Sequence, residues 1–352
     1  MFAAGEMGGF EVADVLRCAP AGADRPGVLE GRLRDEFSER AGEMVMTERV
    51  TAELPRLRAI DVCAGAGGWA VAASGLPIQI VAAVDVDEDC LATYQYNFPD
   101  VKCYQRDVVQ WCQTDMPELE EIGPIDLVLG GIPCEQISAA RRGCALSMEA
   151  EQSFRALVMS CLSIPDRIGA AYWCYEDVTD LIRYLPIFTP YFELDSSNFS
   201  AQRRKRVYVG NLGRPRTRGN NELLGDHLRR GPYRLSPRTK NRTPGRAFVY
   251  NSDQFYPWFP EEKSPTVINL NSRHDKYAAA KCGDGWRQLE WQELATLQGF
   301  PSDYVFVGNP TRTTQMIAQA VQIDTARAIL EALCAEVFGE GGFWRKFSEV
   351  GS

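Results

Sequence analysis

The chain has 352 residues, of which 45% are hydrophobic and 24% are charged, a composition typical of a globular protein with one large core and a smaller one. It contains no apolar run of about 18 residues and no basic segment followed by an apolar core at its start, so we expect neither a membrane span nor a secretory signal. The 11 cysteines form no CxxC pair, which disfavours a metal site and a disulfide framework and predicts reduced thiols in the cytoplasm.

Positive charge is concentrated in one segment of a protein whose net charge is −9. Residues 203–246 contain 14 Lys and Arg and two acidic residues, so this segment carries +12. A local field of that size favours the binding of phosphates. A solvated loop without a ligand is the alternative interpretation of such a run.

Regular patterning begins after an N-terminal extension. Residues 1–55 mix acidic and basic side chains, and residues 28–43 can form an amphipathic helix to which we assign no function. Residues 57–62 predict a strand, a glycine-rich turn follows at residues 63–69, and residues 70–74 are helix formers. Strand, glycine turn and helix together indicate the opening unit of a Rossmann-like fold.

Acidic residues follow the next two predicted strands. The strand predicted at residues 78–84 ends in Asp85, where a carboxylate is placed to bind the ribose hydroxyls of a nucleoside-containing cofactor. The glycine turn lacks the third glycine of dinucleotide-binding proteins, which favours S-adenosylmethionine over NAD. Asp107 follows the third strand and is placed to reach an adenine amino group, although an exposed loop acid is a comparable interpretation.

Residues 126–138 are the segment around which the chain is organised. An apolar run of the kind that forms a buried parallel strand breaks at Gly130 and Gly131 and delivers Pro133 and Cys134 into a loop. A cysteine just past the C-terminal end of such a strand lies where open α/β sheets bind ligands. A small buried hydrophobic residue is the alternative interpretation.

The rest of the chain predicts three more strands and two helical regions. A strand at residues 171–175 ends in Glu176, whose carboxylate would project into the same crevice as Cys134. The remaining predictions are a helix at residues 148–162, strands at residues 188–194 and 206–209, and a long helix that follows residues 317–321 and ends at residue 333.

The order of these motifs resembles that of the C5-cytosine-specific DNA methyltransferase family over residues 58–335. Each motif alone has many false positives, but five in this order and spacing are hard to obtain by chance. The matching segments are residues 61–69, 130–138, 176–178, 202–206 and 287–301. The resemblance implies an α/β, Rossmann-like S-adenosylmethionine-dependent methyltransferase fold with a small target-recognition domain.

The resemblance also implies a domain organisation. The expected parts are an N-terminal extension of unknown role (1–55), a catalytic cofactor-binding domain (56–212), a target-recognition region (213–283), a C-terminal part that returns to the catalytic domain (284–340) and a tail (341–352).

Methyl transfer to carbon 5 of a flipped cytosine is the implied activity. Cys134 would add to carbon 6 of the base, because a thiolate is a strong nucleophile. Glu176 would supply a proton to the ring nitrogen N3, and Arg206 would hold O2. Arg204 would support the loop or contact a phosphate.

The implied ligands are S-adenosylmethionine and double-stranded DNA. The candidate cofactor-binding residues are Asp61, Cys63, Ala64, Gly65, Gly67, Gly68, Trp69, Asp85, Val86, Asp107, Pro133 and Gln319, and the candidate nucleic-acid contacts are Ser138, Gln202, Arg203, Arg242 and Arg246. We further expect a monomer in the cytoplasm that works beside a restriction or other DNA-modification partner.

The sequence departs from the family pattern near the expected nucleophile. Glu135 stands where glutamine is usual, Asp177 where asparagine is usual, Gln319 where asparagine is usual and Cys63 where phenylalanine is usual. The added negative charges disfavour a thiolate at Cys134. Two alternatives therefore stay open, namely an RNA cytosine-C5 methyltransferase and a weak or inactive regulatory homologue that binds the cofactor and DNA.

Replacement of Glu135 tests this charge argument. We expect Glu135→Gln to form the covalent adduct with cytosine faster than the wild type, because one negative charge near the Cys134 thiol is removed. The rate of adduct formation on duplex DNA containing 5-fluorocytosine measures the effect. An unchanged or slower rate would show that the charge of Glu135 does not restrain the thiol.

Overall fold

The computed structural model describes residues 56–134, 137, 146–217, 219–229, 256–267, 278–282 and 285–339. The N-terminal extension, the helix predicted at residues 28–43 and the tail lie outside these residues. None of the helices that are described combines the length and the apolar character needed to cross a membrane.

A seven-stranded sheet forms the centre of the fold. Its spatial order is β3-β2-β1-β4-β5-β7-β6, in which β1 to β5 run parallel and β7 lies antiparallel between β5 and β6. The strands are β1 (Leu57–Val62), β2 (Ile78–Asp85), β3 (Lys102–Gln105), β4 (Leu127–Gly131), β5 (Tyr172–Asp177), β6 (Tyr191–Asp195) and β7 (Lys205–Gly210).

Eight α-helices are described along the chain. They are α1 (Gly68–Ala73), α2 (Glu88–Asn97), α3 (Val108–Cys112), α4 (Glu118–Ile122), α5 (Met148–Ile168), α6 (Trp291–Gln298), α7 (Pro310–Gln319) and α8 (Ile323–Phe338). The predicted alternation of strands and helices is therefore confirmed in its order.

Helices cover both faces of the sheet. Along β1, Leu57 and Ala59 belong to the core that contains α1, α6 and α8, whereas Ile60 and Val62 belong to the core that contains α3 and α5. The period of two along a strand explains this division, because successive side chains point to opposite faces. Strands buried on both faces read as continuous apolar runs, which is the pattern seen in the sequence.

Three predicted boundaries were wrong. The fifth strand extends to Asp177, so Glu176 lies within β5 and not beyond its end. The sixth strand starts at Tyr191 rather than at residue 188, because Phe188 has a left-handed φ of 73° that is incompatible with a strand. The long C-terminal helix predicted after residue 321 is confirmed as α8, but it extends to Phe338 rather than ending at residue 333.

The chain reverses direction across the sheet between β1 and β4. From β1 it proceeds outward through β2 and β3, and it then returns to place β4 on the other side of β1. Such a switch point opens a crevice at the C-terminal ends of the two strands. The glycine turn follows β1 and the Pro133–Cys134 pair follows β4, so both predicted site segments lie at this crevice.

A second, three-stranded sheet lies in the later part of the chain. It consists of β8 (Tyr256–Trp258), β9 (Ala278–Cys282) and β10 (Gly285–Gln288), in the order β10-β9-β8. Strand β10 belongs by sequence to the part predicted to return to the catalytic domain, yet it pairs with β9 of the predicted target-recognition region.

The close approach of β1 and β4 depends on Gly130. A Cβ atom at this position would lie 2.2 Å from the carbonyl oxygen of Val62 and 3.0 Å from the ring of Tyr175. We expect Gly130→Ala to lower the free energy of unfolding by about 3 kcal/mol or more, because backbone atoms cannot yield to the added methyl group. Urea denaturation measures the change.

Gly131→Ala is the matched control. Its Cβ would meet its nearest atoms at 3.9 Å, an ordinary contact distance. Equal losses of stability in the two variants would contradict the packing argument.

Candidate active site

The glycine turn is fixed by the acid at the end of β2. The Oδ2 atom of Asp85 accepts a hydrogen bond from the Gly65 N–H at 2.8 Å, and its Oδ1 atom accepts one from the Asp87 N–H at 2.9 Å. Gly65 and Gly67 adopt left-handed φ values of 53° and 85°, which glycine accepts without strain. Burial raises the pKa of the Asp85 carboxyl, and its backbone hydrogen bonds oppose this shift.

The predicted cofactor residues divide into two groups by exposure. Asp61, Ala64, Gly67, Gly68, Trp69 and Asp85 are buried, whereas Cys63, Gly65, Val86, Asp107, Pro133 and Gln319 are accessible. The indole N–H of Trp69 donates to the carbonyl oxygen of Gly130, so this side chain connects α1 to β4. Val86 is 62% exposed next to Asp85 and offers an apolar surface there.

Two acids near the crevice have further structural contacts. Asp107 is exposed and accepts a hydrogen bond from the Gln110 N–H as the cap of α3. The Oδ2 atom of Asp61 accepts from the Tyr94 hydroxyl at 3.2 Å, while its buried Oδ1 atom has no hydrogen-bond partner among the described residues.

The C-terminal part of the chain closes over the glycine turn, and sequence reasoning missed two of the residues that do this. The Tyr304 hydroxyl donates to the carbonyl oxygen of Ala66, and Arg312 pairs with Asp87 and Asp89 at the start of α2. No local pattern marks either residue, because each contact joins segments more than 200 positions apart in the chain.

Cys134 lies at the end of β4 beside two carboxyl groups. Burial raises the pKa of the Cys134 thiol, and the negative charges of Asp177 and Glu176 raise it further, whereas Arg206 opposes them. The structure thus brings Cys134, Glu176 and Arg206 together, as the sequence predicted.

Glu176 is held between two guanidinium groups. Its Oε1 atom lies 3.1 Å from the Arg206 Nε atom and 3.9 Å from the Arg204 Nε atom. Glu176 is 5% exposed, and within the described part of the chain neither its Oε1 atom nor the Arg204 Nε atom makes a hydrogen bond of good geometry. Buried polar atoms of this kind are suited to a polar ligand.

Arg204 acts as a support for the site. It is 3% exposed, and its guanidinium donates to the carbonyl oxygens of Val267, Ala318 and Ala320. Of the two predicted roles for Arg204, support of a loop fits these contacts. A phosphate contact does not, because the side chain does not reach the surface.

Gln202 does not fit the predicted nucleic-acid contact. It is fully buried, and its side chain bonds to Gln298, to the carbonyl oxygen of Leu297 and to the Val267 N–H. Its amide therefore joins the arginine motif to α6. Arg203 is exposed and remains a candidate contact, whereas Ser138, Arg242 and Arg246 lie outside the described residues.

The two arginines are expected to respond differently to mutation. Arg204→Met should lower the free energy of unfolding by about 3 kcal/mol or more, because three buried carbonyl oxygens lose their donor. Arg206→Met should lower it less, since among the described residues Arg206 pairs with Glu176 and donates to the Lys205 carbonyl oxygen, neither of which lies on a distant segment. Urea denaturation of both variants provides the measurement, and a larger loss for Arg206→Met would contradict the assignment.

The chain is similar in sequence to known DNA methyltransferases. A sequence model described as C-5 cytosine-specific DNA methylase matches residues 57–183 and 214–335. The Type II methyltransferase M.HgiDI of Herpetosiphon aurantiacus is 27% identical over 323 residues, which cover 79% of this chain and 94% of that protein. The Type II methyltransferase M.XorII of Xanthomonas oryzae pv. oryzae is 29% identical over 124 residues, which cover 35% of this chain and only 28% of that protein.

Solved structures confirm the predicted fold class. A putative DNA modification methyltransferase encoded within a prophage of E. coli is similar with a TM-score of 0.57 at 17% identity, over 79% of this chain and 98% of that one. At this level of identity the likeness concerns the fold alone.

Proposed function

The chain belongs to the C-5 cytosine-specific DNA methylase family, and from this membership we propose that it transfers a methyl group from S-adenosylmethionine to carbon 5 of a cytosine in double-stranded DNA. The observation that carries the proposal is the convergence of Cys134, Glu176 and Arg206 beside the glycine turn at the β1/β4 crevice. We expect this protein to work as a monomer in the cytoplasm. We also expect a restriction enzyme or another DNA-modification protein as its partner.

The residues around the glycine turn fit a nucleoside-containing methyl donor. Asp85 keeps unused acceptor capacity on a carboxylate that is fixed by two backbone N–H groups, which suits ribose hydroxyls. Val86 offers an exposed apolar side chain for contact with an adenine ring. Asp107 follows β3, so it lies at the same C-terminal edge of the sheet as Asp85. When bound, the donor supplies an electrophilic methyl group on a sulfonium.

Carbon 5 of cytosine is a poor nucleophile, and the protein has to make it electron-rich. Addition of the Cys134 sulfur to carbon 6 breaks the aromatic conjugation and places electron density on carbon 5. Glu176 would share a proton with N3, and Arg206 would hold O2, so that the negative charge that develops on the ring is stabilised. After methyl transfer, loss of the carbon 5 proton and elimination of the sulfur restore the base and Cys134.

The base has to leave the duplex for this chemistry. A stacked cytosine cannot reach the sulfur of Cys134, and flipping it out of the helix costs a few kcal/mol. Contacts to the flanking phosphates can repay this cost, and Arg203, Arg242 and Arg246 belong to the segment that carries +12.

Replacement of the nucleophile tests the proposal. We expect Cys134→Ser to lose essentially all transfer of labelled methyl to cytosine-containing duplex DNA and to form no adduct with 5-fluorocytosine DNA, because a serine hydroxyl is a much weaker nucleophile at neutral pH. Cys103→Ser is the control, since Cys103 lies in β3 away from the arginine pair. Equal labelling by the Cys134→Ser variant and the wild type would overturn the assignment.

The same assay separates the alternatives. RNA presented beside DNA as the labelled acceptor distinguishes an RNA methyltransferase, which would label RNA in preference. A regulatory homologue would bind the methyl donor and DNA without labelling either acceptor.

A further inference from the structure

Asp177 is a buried acid at the site to which the mechanism above gives no role. It is the last residue of β5, it is 1% exposed, and it follows Glu176 directly. Its Oδ1 atom accepts a hydrogen bond from the Val178 N–H. Its Oδ2 atom receives no N–H or O–H hydrogen bond within the described residues.

The thiol of Cys134 is the group that faces this carboxyl. Strand pairing fixes the approach, because β4 and β5 are in register at Gly131 and Glu176 and the Ile132 N–H donates to the Glu176 carbonyl oxygen at 3.2 Å. Cys134 lies three residues beyond the end of β4, Asp177 is the last residue of β5, and their side chains interact with each other. The Asp177 carboxyl, one oxygen of which accepts no N–H or O–H hydrogen bond from the described residues, therefore interacts with the thiol that has to lose a proton.

The charged groups around Cys134 and Asp177 can balance one negative charge on these two residues. While Glu176 is a carboxylate, before it takes up the proton that it shares with N3, Glu176, Arg204 and Arg206 together carry one net positive charge. The groups that face Cys134 are Asp177, Glu176 and Arg206, and those that face Asp177 are Glu176, Cys134 and Arg206. Since an uncompensated buried charge is costly, Asp177 and Cys134 are best balanced when they share a single proton.

We propose, on the basis of the proposed function, that Asp177 accepts the thiol proton of Cys134 as the sulfur attacks carbon 6 of cytosine. The S–H bond breaks, the proton bonds to a carboxylate oxygen of Asp177, and the sulfur forms its bond to carbon 6 as electron density moves to carbon 5. The carbon 5 proton leaves later to solvent. When the S–C6 bond breaks, the departing sulfur takes its proton back from Asp177.

The electrostatics of the pair support this transfer. Burial and the neighbouring acids raise the pKa of the Cys134 thiol, so loss of its proton to bulk water is rare at neutral pH. Burial also raises the pKa of the Asp177 carboxyl, which makes its carboxylate a stronger base than an exposed one. The opposing view is that Asp177 acts only as a charge that restrains the thiol. The two views predict opposite effects of Asp177→Asn.

The test measures the rate of adduct formation on 5-fluorocytosine duplex DNA at a series of pH values between about 6 and about 10. For the wild type we expect a rate that rises as Asp177 loses its proton and is then level until the thiol itself loses its proton to solvent. For Asp177→Asn we expect a rate about 10²-fold lower at neutral pH, a typical contribution of proton transfer by a side chain. Its logarithm should rise by about one for each pH unit, because the proton must leave to solvent.

Glu135→Gln is the matched control, since it also removes one negative charge near the nucleophile in sequence but removes no proton acceptor. Slower adduct formation by Asp177→Asn together with unchanged or faster formation by Glu135→Gln supports the proposal. Equal or faster adduct formation by Asp177→Asn overturns it. If the Asp177→Asn protein fails to bind S-adenosylmethionine or to unfold cooperatively, the wild-type profile decides, and a rate without a level region overturns the proposal.

Alkylation of Cys134 by iodoacetamide, followed by peptide mass spectrometry, separates this proposal from the proposed function. It needs neither DNA nor methyl donor. The wild type should show a level region in its pH profile that Asp177→Asn lacks, and profiles of the same shape would overturn the proton transfer. A wild type that is alkylated with a level region but forms no adduct with DNA would count against the proposed function alone.

Discussion

The parallel pairing of β1 with β4 is the constraint on which the rest of the site depends. It joins two strands that are far apart in sequence and brings the turn after each of them to one crevice. Close approach requires a residue without a side chain, and Gly130 lies against the carbonyl oxygen of Val62. The glycine turn for a methyl donor and the loop that carries Cys134 thus become neighbours through backbone pairing.

A buried polar network holds the later part of the chain against this crevice. Arg204 and Gln202 bond to backbone groups of three separate segments, and Gln298 adds a bond to the carbonyl oxygen of Ala320. Removal of one member would leave several buried groups without partners, so the network sets a single arrangement. Gln202 and Arg204, which belong to the segment at residues 202–206 that resembles the family pattern, therefore join this segment to the C-terminal part of the chain.

The charge of the protein is distributed differently in the basic segment and in the crevice. The basic segment at residues 203–246 carries +12, while the crevice contains a nearly balanced set of two arginines, two acids and a thiol. Inside a medium of low polarity such balance matters more than on the surface, because interactions between buried charges are weakly screened. The position of Asp177 is therefore significant for the chemistry of Cys134.

The sequence by itself determined the order of the strands, the glycine turn, the acid after β2 and the placement of Cys134 and Glu176 at the ends of adjacent strands. These features depend on apolar periodicity and on turn residues, which are local properties of the chain. Tertiary structure alone decided that Arg204 is a buried support, that Tyr304 lies over the glycine turn and that the carboxyl of Asp177 faces the thiol. Such contacts join residues up to 238 positions apart, and no local pattern encodes which distant backbone carbonyl a side chain will meet.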